Sequence, residues 1–225
     1  MFKYLAPCTS VLMFCGVDEA GKGAVLGPMV VAAVGCDHED LLPDIGIKDS
    51  KQLSPQKRTG LYEEITNTCS IALRVVSAGE IDSGRKSMTL NVLLARLHAA
   101  VINDLSPHLA YVDACDVIAE RHGHMVTNFL GCECRVVAEH HADEFYPLVS
   151  AASIIAKVVR DREIEALAEK YGDIGSGYPS DQRTVDFLSA AIQHSGKPPV
   201  FARASWKTVE KMISERSQAS ILDFS

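Results

Sequence analysis

The sequence is short of the features that would place it in several large classes. No apolar run approaches the ~20 residues that a membrane-spanning helix needs. The segment MFKYLAPCTSVLMFCG, which opens the sequence, holds one lysine and an apolar run broken from Pro7 to Ser10, a poor match to a secretory signal. There is no internal repeat and no low-complexity segment. The seven cysteines form no small-scaffold pattern. Cys132-x-Cys134 has no second CxxC pair to complete a zinc site, so reduced thiols in a cytoplasm are expected. Positive charge is also in deficit, with 22 Lys and Arg against 29 Asp and Glu. A net charge of −7 argues against indiscriminate coating of nucleic acid, although it leaves room for a local basic groove.

What is present suits one globular domain with a full core: 225 residues, 47% of them hydrophobic. Val11–Asp18 and Met29–Gly35 are apolar, strand-like runs. The glycine-rich turn between them is too short for a crossover helix, so the pair is expected to be antiparallel. Ile71–Ser77, Leu109–Ala114 and Cys134–Ala138 are three further strands. Helices are expected near Pro55–Thr66, over Thr89–Leu105 with apolar residues at helical spacing, over Leu148–Tyr171, near Gln182–His194 and near Trp206–Arg216. The order predicts an α/β fold with a mixed five-stranded sheet flanked by helices, followed by a C-terminal helical segment.

Acids gather where these strands end. Asp18 and Glu19 close the first strand, Asp113 closes LAYVD, and Asp143 follows CRVVA. If the three strands are neighbours, the acids meet in one patch. Such a patch raises its own pKa values or demands a cation. Oxygen ligands select hard ions, Mg2+ or Mn2+. Two such ions can hold the attacking and leaving oxygens of a phosphoryl displacement. Adjacent strand residues point to opposite faces, so Asp18 and Glu19 share a site only if the strand ends or twists there.

The stretch GVDEAGKG (Gly16–Gly23) also has most of the spacing of a phosphate-binding loop. It lacks the final Ser or Thr, a strand follows it in place of a helix, and its two acids would repel phosphate. A non-catalytic nucleic-acid-binding module is the other alternative, disfavoured by four acids and an acidic balance.

GVDEAGKGAVLGPMVVAAV, DSKQLSPQKR, YVDACDV, HADEFYPLVSAASIIAKVVRDREI and GSGYPSD, in that order, resemble the type 2 ribonucleases H (ribonuclease HII), in the archaeal-like branch. The resemblance runs from about Gly16 to Thr208. It implies a ribonuclease H-like fold and an endonuclease, a 5′-phosphate-producing hydrolase with a replication and repair role. Its substrates would be RNA/DNA hybrids and duplex DNA containing ribonucleotides, cut with Mn2+ or Mg2+ at a two-metal site. Carried over residue by residue, the resemblance makes Asp18, Glu19, Asp113 and Asp143 the catalytic metal ligands. It makes Gly21, Lys22 and Gly23 a backbone probe for the ribose 2′-hydroxyl and its phosphate. Tyr178 becomes the residue that packs on the junction sugar. Lys51, Ser153 and Lys157 are further substrate contacts. Asp116 and Glu144 are expected to be solvated neighbours, Arg160 and Asp161 an internal pair, and Lys197, Arg203, Lys207 and Lys211 a basic arm over the duplex.

At the ends, Met13 is expected to be the true start, with residues 1–12 an extension. The catalytic domain is expected over 13–180 and the C-terminal helical region over 181–217. In the tail, 218–225, Gln218, Ile221 and Phe224 are similar in spacing to peptides that dock sliding clamps. The protein is expected to be a cytoplasmic monomer without membrane contact.

Overall fold

The apolar runs pair into one sheet: β1 (Phe14–Ala20), β2 (Met29–Cys36), β3 (Ser70–Val76), β4 (Leu109–Asp113) and β5 (Arg135–Glu139), in the order β3-β2-β1-β4-β5. The computed structural model describes residues 13–37, 42 and 54–222. Residues 1–12, Lys51 and Phe224 lie outside the described residues, as do Asp49 and Ser50. β1 runs antiparallel to β2, as the short connection requires, while β1, β4 and β5 are mutually parallel neighbours. Their carboxyl ends therefore open on the same edge of the sheet.

Among the described residues, seven helices accompany it: α1 (Pro55–Thr68), α2 (Ala78–Arg85), α3 (Leu90–Leu105), α4 (Ala119–Asn128), α5 (Pro147–Tyr171), α6 (Gln182–Ser195) and α7 (Lys207–Leu222). Of these, α2 and α4 are additional to the expected set. The α2 signal is a capping box in which Ser77 and Glu80 satisfy each other's backbone N–H groups. Ser54 caps α1 ahead of Pro55, and Pro147 opens α5 where its missing N–H costs nothing. α7 runs past Arg216 to Leu222, so the expected tail begins inside a helix.

Two apolar layers form on the two faces of the sheet. Cys15, Val17, Val31 and Val112 pack under α3 and α4, with Leu94, Ala99, Ile102 and Val126. Ala20, Val30, Ala32 and Val34 pack against α5 and α1, with Leu148, Ala152, Ile155 and Ile65. The first half of α5 comes very close to β1 because Gly16 has no side chain: a Cβ there would stand 2.1 Å from the Leu148 carbonyl carbon. A third layer joins the end of α5 to α6 and α7 through Ile164, Leu188, Ile192 and Val209. It is completed by Val25 and Leu26 from the loop after β1. The C-terminal helices are thus seated on the same loop that carries Gly21–Gly23. Gly177 accepts from the backbone N–H groups of Val25 and Leu26, and Arg203 N–H donates to Val25.

Gly16→Ala is expected to cost about 3 kcal/mol or more by forcing α5 off β1. Gly60→Ala, exposed within α1 with nothing near its would-be Cβ, is expected to gain about 0.5–1 kcal/mol. Urea unfolding of the two variants checks the contrast.

Candidate active site

The ladder between β1 and β4 closes at Val17 and Val112, so Asp18 and Asp113 are the next residues on each strand. Val17 and Val112 face α3, and by alternation both acids face α5. Asp18 is nearly fully buried. Burial, then the charges of Glu19 and Asp113, push its carboxyl well above the usual carboxylate range. The Ser153 hydroxyl and the Glu19 backbone N–H, 2.7 Å away, pull in the opposite direction without prevailing. Asp113 accepts from the backbone N–H of Ala142 at 2.9 Å. That bond ties β4 to a short 3-10 turn, Ala142–Glu144, which carries the buried Asp143. His141, Asp143 and Glu144 present ligand atoms within 4.8 Å of one another.

Because its folded pKa is raised, the folded protein holds Asp18's proton more tightly than the unfolded chain. Stability contributed by the protonated form is complete below the unfolded value of ~3.9 and is lost as pH rises through the folded value. At neutral pH, Asp18 in its charged form is a cost that a nearby cation would relieve. The donors are predominantly carboxylate oxygens, and Asp18 lies within reach of the charges of Glu19 and Asp113. They fit a hard divalent ion.

Glu19 behaves differently. β1 continues through Ala20, so alternation holds and Glu19 points to the α3 face, away from Asp18's side. There His98 Nε2 lies 3.1 Å from its Oε2. Burial alone would raise this carboxyl, but the hydrogen bond and charge of His98, then the charges of Lys22 and His122, hold it below the usual range. Its contribution to stability is present above the unfolded carboxylate value and is lost as pH falls through the lowered one.

A cleft of about 360 Å3 opens beside these acids, lined by Glu19, Gly21, Lys22, Gly23, Arg58, Ser153, Lys157 and Tyr178 among others. Every expected substrate contact among the described residues is therefore gathered in one place. Lys51, outside the described residues, is the exception. Gly21 needs its glycine for the fold, with φ of +84° and a would-be Cβ 2.5 Å from Arg160 Nε. Gly23 does not, since nothing lies within 4 Å of its would-be Cβ. Lys22 turns inward and donates to the Cys115 carbonyl at 2.5 Å. Tyr178 lies over the buried Arg160, whose guanidinium carbon is 4.5 Å from the ring centre.

Several neighbours take unexpected roles. Asp161 pairs with Lys157 and with Arg58 at 3.4 Å as well as with Arg160 at 3.9 Å, so the pair inferred from sequence is one part of a cationic wall. Asp116 is buried, not solvated. It accepts from Arg121, Asn91 and the Ile118 N–H, which hold its pKa well below the usual range. Arg203 does not belong to an exposed arm: it is fully buried and donates to the carbonyls of Lys22 and Gly27. It is a brace for the Gly21–Gly27 loop. Glu144, Lys197, Lys207 and Lys211 are exposed.

Comparisons with known proteins bear on the family and the fold. The family model for ribonuclease HII matches residues 15–209. The chain is 54% identical over 212 residues to the ribonuclease HII of Methanoregula boonei, covering 94% of this chain and 100% of that one. It is similar in structure to ribonuclease H2 from Pyrococcus horikoshii OT3, with TM-score 0.85 and 40% identity over 92% of this chain and 100% of that one. It also matches the ribonuclease HII chain of a PCNA:RNase HII complex from Archaeoglobus fulgidus, with TM-score 0.81 and 50% identity over 87% of this chain and 96% of that one.

Proposed function

This chain belongs to the ribonuclease HII family, and on that premise we propose that Asp18, Glu19, Asp113 and Asp143 carry its reaction. The enzyme is an endonuclease that cleaves the RNA of RNA/DNA hybrids and ribonucleotides embedded in DNA. The observation that carries the assignment is the meeting of two unlike surfaces. A crowded, buried carboxylate patch at the ends of β1 and β4 adjoins a cleft walled by Lys22, Arg58 and Lys157.

The acids would hold Mg2+ or Mn2+, a two-ion arrangement that supplies an activated water and stabilises charge on the phosphate as the bond to the 3′ oxygen breaks, leaving a 5′-phosphate. The chain's own part is positioning. Ser153 donates to Asp18 and fixes its carboxyl, while the Ala142 N–H fixes Asp113. Lys157 and Arg58, held in place by Asp161, offer charge to the backbone phosphates of the duplex. Gly23 leaves open space where no internal contact requires it, which suits a backbone that a ribose approaches closely. Lys22 braces the turn through the Cys115 carbonyl, so it supports the phosphate contact by shaping the loop. Tyr178, backed by Arg160, offers the free face of its ring to a sugar. Lys51 joins them as a phosphate contact by its place in the DSK motif.

Gln218, Ile221 and Phe224 are assigned to a sliding clamp. The spacing of these residues supports this, as does the clamp complex formed by the Archaeoglobus relative. Gln218 is exposed near the end of α7, where a partner can reach it.

With duplex DNA holding one ribonucleotide, wild type is expected to nick 5′ of it in Mg2+ or Mn2+ and not in chelator. D18N, D113N and D143N are expected to lose at least about 100-fold in kcat. G23A is expected to fold normally and raise KM. Metal-independent nicking, or full activity in D18N, would reject the assignment. In a separate pull-down, removal of residues 218–225 is expected to abolish clamp binding and spare cleavage; unchanged clamp binding would sink the tail assignment.

A further inference from the structure

The layer beneath α3 and α4 contains a line of polar side chains that its apolar surroundings do not need. His98 and His122 are both fully buried. His98 Nε2 meets Glu19 Oε2 at 3.1 Å, and His98 Nδ1 meets His122 Nε2 at 3.0 Å. The Cys115 thiol also rests against the His122 ring, with Sγ 3.5 Å from Nδ1 and 3.6 Å from Nε2. Cys115 in turn accepts from Lys22 through its carbonyl. Lys22 lies three residues after Glu19, and Cys115 two residues after Asp113. The line therefore closes on itself, joining the end of β1 to the end of β4 through α3 and α4.

Burying two histidines inside an apolar layer is costly unless each is hydrogen-bonded, and apolar residues of similar volume would serve stability at least as well. The donor direction at the acid end is forced. An ionised carboxylate can only accept, so His98 Nε2 must carry the proton that Glu19 receives. The Nδ1 of a neutral His98 can then only accept, so His122 donates to it from Nε2. The backing histidine thus fixes the ring plane of His98, and His98 fixes the carboxylate. Glu19 needs such a tether. Its side chain faces away from Asp18's, and it would otherwise be free to rotate about several bonds at the mouth of the cleft.

Resting on the assignment of Glu19 to the active site, we propose that His98, backed by His122 and Cys115, is a positioning residue that holds the Glu19 carboxylate in the orientation the site requires. Its contribution is geometric, made through one hydrogen bond. Partners of this kind behind metal-binding side chains typically contribute about 10–100-fold in affinity or activity.

The test compares H98L, H98Q and E19Q in the full-length protein. Glutamine places an N–H donor the same number of bonds from Cα as Nε2, whereas leucine keeps volume and loses the donor. Circular dichroism and thermal melting establish that each variant is folded. Calorimetric titration of Mn2+ into metal-free protein gives a readout independent of turnover, and steady-state nicking separates kcat from KM. The expected result for H98L is a loss of about 10–100-fold in kcat and weaker Mn2+ binding, with KM for the duplex unchanged. H98Q is expected to recover most of both. Should H98L fail to fold, H98N, whose donor falls one bond short, takes its place with the same expected loss. A folded H98L or H98N within twofold of wild type in both readouts overturns the proposal, and so does an H98Q as defective as H98L. E19Q keeps the two questions apart: if E19Q itself binds Mn2+ and cleaves normally, it is the assignment of Glu19 that falls.

Discussion

Carboxylates crowded at the ends of neighbouring parallel strands are the constraint on which the rest of this structure depends. Asp18 is buried, lies beside Asp113, and feels the charge of Glu19, and its carboxyl is driven well above the usual range as a result. No hydrophobic packing can relieve that. The patch must hold protons or be met by cations, and either way the protein gives up some stability at this edge of the sheet. The folding devices around it limit the loss. Gly16 lets α5 approach β1 closely enough for Ser153 to reach Asp18, and the turn carrying Asp143 is tied to Asp113 by the Ala142 N–H.

The cleft beside the acids is the electrical counterpart of the patch. Asp161 holds Arg58 and Lys157 along one wall, so a chain with a net charge of −7 still lines this cleft with basic side chains. The Gly21–Gly27 loop belongs to both halves of the molecule. Its first residues line the cleft, and Val25 and Leu26 lie in the core of the C-terminal helices. Arg203 clamps it from behind. The C-terminal region therefore helps to fix this loop; of the residues expected to form a basic arm, Arg203 is the buried brace, while Lys197, Lys207 and Lys211 are exposed.

Much of this was legible in the residues. Apolar runs located all five strands, and the short glycine-rich connection foretold the antiparallel β1–β2 pair. The acids at the strand ends pointed to a common edge, since parallel neighbours open on the same side of the sheet. Other features were hidden for physical reasons. Asp116 and Arg203 are charged residues in loop-like stretches, and only the fold shows that they are buried, one held by Arg121 and Asn91 and the other by backbone carbonyls. The divergence of Asp18 and Glu19 followed from strand alternation, but how far β1 extends was not evident from composition, because Ala20 and Gly21 are compatible with either outcome. His98 did leave a signal. It lies on the buried stripe of α3, four residues after Leu94 and four before Ile102, and a titratable residue on an apolar stripe calls for a partner.

The melting temperature of D18N relative to wild type, in chelator and then with Mn2+, tests the central claim most directly. If carboxylate crowding governs the site, D18N in chelator at pH 7 melts higher by roughly 2–8 °C, a gain that fades toward pH 4 as the wild-type carboxyl takes up its proton. Added Mn2+ then raises wild type more than D18N and closes the gap. A D18N protein that melts at or below wild type in chelator at pH 7, or that gains as much from Mn2+ as wild type does, would contradict it.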